Sequence, residues 1–232
     1  MSGPDAYVML LSSLPHHGAL TRTKQTPLSR LRLNARLKVL APEDAEALGL
    51  VEDLLSWELV QKLGSDAEVV RRAKQTMARL DSPFLKEILR QRLELRTMVA
   101  ALRRRRRGLP APRSGEIWGF GRWTNHIAHN WGDSAFGLAR VFPWAREADR
   151  LIKEDDAYGF ERLILEEVWR DLGRAGEGHT FDFEAVVVYV LRWNVVERWT
   201  AYNEATAKER FVGLVEAGMS QAGDLFGEAA NG

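Results

Sequence analysis

Apolar residues recur at intervals of three and four along most of the chain. In "APEDAEALGLVEDLLSWELVQKLG" the positions Leu48, Val51, Leu55, Leu59 and Leu63 share one helical face, Pro42 suits a first turn and Gly64 a stop, so the pattern predicts one helix there. "SDAEVVRRAKQTMARL" opens with Ser65 and places Glu68 three residues on, the capping-box spacing that satisfies free N–H groups at a helix start. "SPFLKEILRQRLELRTMVAALRRRRRG" has Ser82 as cap and Pro83 at the first helical position. Its apolar positions Leu85, Ile88, Leu89, Leu95, Met98, Val99 and Leu102 predict a helix of roughly 38 Å ending at Gly108.

Beyond Gly108 the chain changes character. "GLPAPRSGEIWGFGRWTNHIAHNWGDSAFG" is rich in Gly, Pro and Trp, which sets a boundary near Pro110 to Ser114. Helical spacing returns in "PWAREADRLIKEDD" and in "DAYGFERLILEEVWRDLG", the latter with Phe160, Leu163, Leu165, Val168, Trp169 and Leu172, and "GRAGEGH" reads as a turn. The segment from "TFDFEAVVVYVLRWNVVERW" onward carries valines that favour a strand. Its length, a cap at Thr180 or Asp182 and the lack of a breaker before Gly213 predict a long helix instead. "YVMLLSSLP" is short enough to suit a strand or a helical turn. The expected fold is all-α, with long antiparallel helices in one or two bundled subdomains, 1–109 and 110–232.

Charge sharpens that division. Residues 1–107 hold 20 Lys+Arg against 12 Asp+Glu, a net +8, whereas 108–232 hold 13 against 20, a net −7. A chain so polarised can dock its own halves together or present opposite faces to two partners. With no cysteine there are no disulfides, thiolate metal sites or cysteine nucleophiles, and a reducing cytoplasm is the suitable compartment. The N-terminus is a poor signal peptide, and the apolar run Ala185 to Leu191 is far below the roughly 20 residues that span a bilayer.

Arg103 to Arg107 form the last turn and a half of the predicted long helix. Successive helical residues point about 100° apart, so the five surround the axis and only two or three can serve one binding face. Cations there also oppose the helix dipole favourably, by typically 0.3–1 kcal/mol each.

Candidate chemistry is sparse. His126, His129 and Asp133 have spacings that would set two imidazoles and a carboxylate on one helical face for zinc, without the His-Glu-x-x-His pattern of zincins. A packed or solvent-facing histidine pair is the reading preferred to a metal site, and His16-His17 reads as loop. Seven of the eight tryptophans follow residue 117 and suit core or interface anchors. No phosphate-binding glycine loop, nucleophile elbow or nucleic-acid motif is present. Neither catalysis nor a cofactor is expected. The alternatives are a nucleic-acid-binding helical module using the arginine run and a metal-dependent enzyme using His126 and His129.

Two stretches resemble the C subunit of V/A-type ATPases, called d in eukaryotes, the helical socket that joins the rotor stalk to the membrane ring. "ELRTMVAALRRRRRGL" is similar to that family's long helix with an Arg/Lys-rich, Gly-terminated end. "FDFEAVVVYVLRWNVVERWTAYNEATAKERF" resembles its C-terminal helix, with Tyr189, Leu191 and Glu197 at the matching positions. "YVMLLSSLP" resembles the start of a bacterial family whose genes accompany V-type ATPase subunits. The chain is shorter than the three-unit socket, and "WGFGRWTNHIAHNWGD" has no counterpart in it. The resemblance implies a non-catalytic subunit or assembly factor, cytoplasmic and peripheral to the membrane through stalk and ring partners. Arg103, Arg104, Arg105, Arg106, Arg107, Trp193, Glu197 and Trp199 are its expected contact residues, with nucleic acid not the expected partner.

Overall fold

The computed structural model describes residues 4–56 and 58–204. Its helices are α1 (Pro4–Ser13), α2 (Arg30–Leu37), α3 (Pro42–Leu55), α4 (Leu59–Leu63), α5 (Asp66–Arg79), α6 (Pro83–Arg106), α7 (Thr124–His129), α8 (Ala145–Lys153), α9 (Ala157–Ala175) and α10 (183–204). The fold is all-α, and no strand occurs among the described residues. No helix among them is long and apolar enough to cross a membrane.

Several helix ends follow the sequence signals. Ser65 and Ser82 accept from the backbone N–H of Glu68 and Leu85, both at 3.3 Å. Only half of the capping box forms at Ser65, because the Glu68 carboxylate turns to Arg71 at 3.0 Å. Gly108 stops α6 in the left-handed region at φ +71°, where its N–H meets the Arg105 carbonyl at 2.9 Å. The valine run is helical: Asp182 caps α10 by accepting from the Ala185 N–H at 2.8 Å, and Val186, Val187 and Val190 lie fully inside the core. The stop expected at Gly213 lies outside the described residues. Helix α2 is capped by Ser29, which accepts from the Arg32 N–H at 3.4 Å.

The helix predicted to run from Pro42 to Gly64 is two helices, because α3 ends at Leu55 and Ser56 is extended, with ψ 136°. Arg96 of α6 explains the break. Its guanidinium donates to the Leu54 carbonyl at 2.9 Å, to the Ser56 carbonyl at 3.0 Å and to the Leu55 carbonyl, groups at and just beyond the end of α3. A half-buried cation thus satisfies orphan carbonyls that a continuing helix would have used.

Helix α6 is the central element. Leu85, Ile88, Leu89, Leu93, Leu95, Met98, Ala101 and Leu102 are all buried in one cluster that runs from Leu10 to Trp199. It packs against α3 from the basic half and against α7, α8 and α9 from the acidic half, so the core is continuous across residues 109 and 110. A helix surrounded on several sides needs more apolar positions than one stripe supplies, which is why its buried set is so wide.

The Gly-Trp stretch that follows is strapped along α6. The Phe120 N–H donates to Thr97 Oγ1 at 2.8 Å, and the Thr97 hydroxyl has the carbonyls of Leu93 and Phe120 within 3.0 Å as acceptors. A Cβ at Gly119 would fall 2.5 Å from Thr97 Cγ2, and one at Gly121 would fall 2.4 Å from Glu94 Cγ. Glycine spacing in "WGFGRW" is therefore a packing requirement, since the loop backbone rests directly on the helix.

Candidate interaction surface at the arginine end of α6

The five arginines surround the helix axis, and each meets a different environment. Arg105 is the most enclosed. It donates to the carbonyls of Trp131 (3.0 Å), Ser134 (2.9 Å) and Asp133, pairs with the buried Asp149 at 2.8 Å, and lies 4.2 Å from the Phe136 ring. The segment 131–137 is wrapped around this guanidinium. Asp133 Oδ1 accepts from the N–H groups of Ala135 and Gly137, both at 2.8 Å, and Phe136 is fully buried with φ 54°.

Arg104 and Arg106 are also engaged within the chain. Arg104 bonds Glu116 at 2.6 Å and the Pro110 carbonyl at 3.1 Å, holding the loop after α6. Arg106 meets both oxygens of Asp155 at 2.9–3.0 Å and the Ile152 carbonyl at 3.2 Å. Three members of the run thus dock the basic half onto residues of the acidic half, the first of the two outcomes that the charge asymmetry allowed. Arg103 is exposed, 5.4 Å from the Phe160 ring, and Arg107 is exposed with no bonded partner among the described residues. Arg103 and Arg106 border a cavity of about 380 Å³ whose walls include Phe160, Glu161 and Tyr202. This end of α6 sets the exposed Arg103 and Arg107 beside a recess that carries Asp155, Asp156 and Glu161 together with Phe160 and Tyr202.

Of the other expected contact residues, Glu197 is exposed on α10. Trp193 and Trp199 are core residues, 1% and 3% exposed. The Trp193 indole donates to the Leu28 carbonyl at 2.9 Å and anchors α2 through Leu28 and Leu33. Trp199 packs near Tyr158. Both indoles are thus enclosed by the described residues, whereas Arg103, Arg107 and Glu197 present exposed surface.

His126, His129 and Asp133 do not converge. Helix α7 ends at His129, so Asp133 lies in the turn beyond it and its carboxylate is committed to backbone N–H groups, which hold its pKa below the ordinary value. His129 Nδ1 sits 2.6 Å from the Asn125 carbonyl. Among the described residues, the group with ligand atoms mutually within 4.8 Å is His179, Asp182 and Glu184. That group is a helix cap: one Asp182 oxygen meets His179 Nδ1 at 2.7 Å and the other takes the Ala185 N–H.

His17, expected in a loop, is only 7% exposed. Its ring lies 4.1 Å from Tyr189 and 5.8 Å from Trp169, contacts that no local pattern announces. Burial, then the charges of Arg192 and His16, lower its pKa from 6.5 to about 4. The unfolded chain therefore takes up this proton first on acidification. Its contribution to stability is complete above pH 6.5 and declines as pH falls toward 4. Between pH 7.5 and pH 5 the expected loss is about 2 kcal/mol from this group. Urea unfolding at the two pH values checks it, because His17→Phe should remove that share of the pH dependence and an unchanged dependence would refute the assignment.

Comparison with protein-family models, curated proteins and solved structures found no match to the chain.

Proposed function

We propose that the chain is a non-catalytic subunit or assembly factor of a V/A-type rotary ATPase, acting through protein contacts between stalk and membrane ring. The observation that carries this reading is that the stretches resembling the socket subunit fall on α6 and α10, each more than 20 residues long as described. The exposed edge at Arg103 and Arg107 supplies the docking charge, and Arg104 to Arg106 hold that edge in place. In this reading the protein is cytoplasmic, reaches the membrane only through its partners, and leaves ATP chemistry to other subunits.

The test is affinity recovery of the full chain from a gentle detergent extract of its own cells, with mass spectrometry of what accompanies it. Stalk and ring subunits should appear in fixed proportion. The double variant Arg103→Glu/Arg107→Glu should lower their recovery about tenfold, taking 0.5–1 kcal/mol for each surface charge. Its melting temperature should stay close to that of the wild type, since neither guanidinium makes a hydrogen bond or ion pair among the described residues. Recovery of nucleic acid instead, with affinity falling steeply as salt rises, would reject the ATPase reading.

A further inference from the structure

Burying a cation without a counter-ion is costly, and the acidic half has carboxylates to spare. Arg192 on α10 is nevertheless half-buried with no carboxylate or carbonyl bonded to it among the described residues. Its Nε is sealed and unpaired. Its Cζ lies 4.6 Å from the centroid of the Trp169 ring, within cation–π range.

The space around this guanidinium is provided by glycine. Gly173 sits inside α9, where glycine costs about 1 kcal/mol relative to alanine. A Cβ there would lie 2.7 Å from Arg192 Nη2. Arg192 also lines a cavity of about 360 Å³ formed by the chain after α1, the C-terminal end of α9 and α10. His17 stands in the same wall as a neutral ring whose Nε2 has no partner. Glu177 borders the cavity too, yet forms no ion pair with Arg192. A second, shallower depression of about 510 Å³ shares Gly173, Glu177 and Arg192 and adds Arg170 and Arg174.

We propose that this cavity binds a small organic monocarboxylate, with the Arg192 fork on the carboxylate and Leu14, Leu172 and Val188 against the apolar body. The charge favours the class: Arg192 is the one arginine in a lining that also holds His16, His17, His179 and Glu177, and the glutamate repels a phosphate dianion about twice as strongly as a monocarboxylate. The volume lies at the small end of ligand pockets, about 300–1,000 Å³. The site is independent of the docking edge on α6, so it stands or falls separately from the ATPase reading.

Benzoate is the probe. The full chain is titrated with benzoate and, in parallel, with inorganic phosphate, using saturation-transfer NMR and the shift in melting temperature. Benzoate should bind saturably and raise the melting temperature. Arg192→Met should weaken binding roughly tenfold or more, since it removes a charge-assisted fork. Gly173→Ala favours the helix yet displaces the guanidinium, and should weaken binding severalfold; it decides the matter if the methionine variant does not melt cooperatively. Absence of saturable benzoate binding, unchanged affinity in the variants that fold, or a preference for phosphate would overturn the proposal.

Discussion

Replacing Arg105 with methionine should destabilise the protein by about 3 kcal/mol, the lower end of the cost of breaking a buried pair. The removal strands three carbonyls of the 131–134 segment and takes one of two cations from Asp149, which is 6% exposed. Lys153 remains at 2.7 Å from that carboxylate, which limits the loss. Phe136, held at positive φ beneath the guanidinium, loses the contact that helps fix its strained turn. Urea unfolding measures the effect, and the double variant Arg105→Met/Asp149→Leu should recover part of it because no charge is left buried. A loss below about 1 kcal/mol would mean that Arg105 is effectively solvated and the run is a free cationic face. The consequence for functional work is direct. Reversing all five arginines would unfold the joint between α6 and α8, so loss of partners from such a variant would say nothing about docking.

Gly121→Ala should cost about 3 kcal/mol, from left-handed backbone strain and overpacking together. Gly121 has φ +100°, and the added methyl would meet the buried stem of Glu94 at 2.4 Å. Glu94 cannot simply swing aside, since its carboxylate pairs with Arg90 at 2.8 Å and is 3.3 Å from the Arg122 N–H. Gly132→Ala is the control: nothing lies within 4 Å of its Cβ position and its φ is not in the left-handed region, so it should change stability by less than about 0.5 kcal/mol. Equal melting temperatures for the Gly121 and Gly132 variants would show that the loop lifts off α6 without penalty.

Local rules made much of the architecture legible. Ser65, Ser82, Pro83 and Gly108 mark helix ends through short-range steric and hydrogen-bonding needs, and the structure uses each of them there. The break at Ser56 was hidden because its cause, Arg96, lies 40 residues away in sequence. His17 shows the same limit. Proline and glycine on either side suggest a loop, which is correct for the backbone, but its burial comes from Trp169 and Tyr189 on two distant helices.

The arginine run separates what each level decides. Sequence alone determined that five guanidinium groups must surround the end of a long helix, because the 100° step and the glycine stop are local properties of the chain. It also determined the opposed charges of the halves. Only the tertiary structure decided that Arg104, Arg105 and Arg106 are spent on Glu116, Asp149 and Asp155 while Arg103 and Arg107 stay outside. Which of several equivalent cations meets a carboxylate or a carbonyl depends on how distant segments pack around the axis. Interaction energies at 3 Å are set by that placement, and no spacing along the chain encodes it.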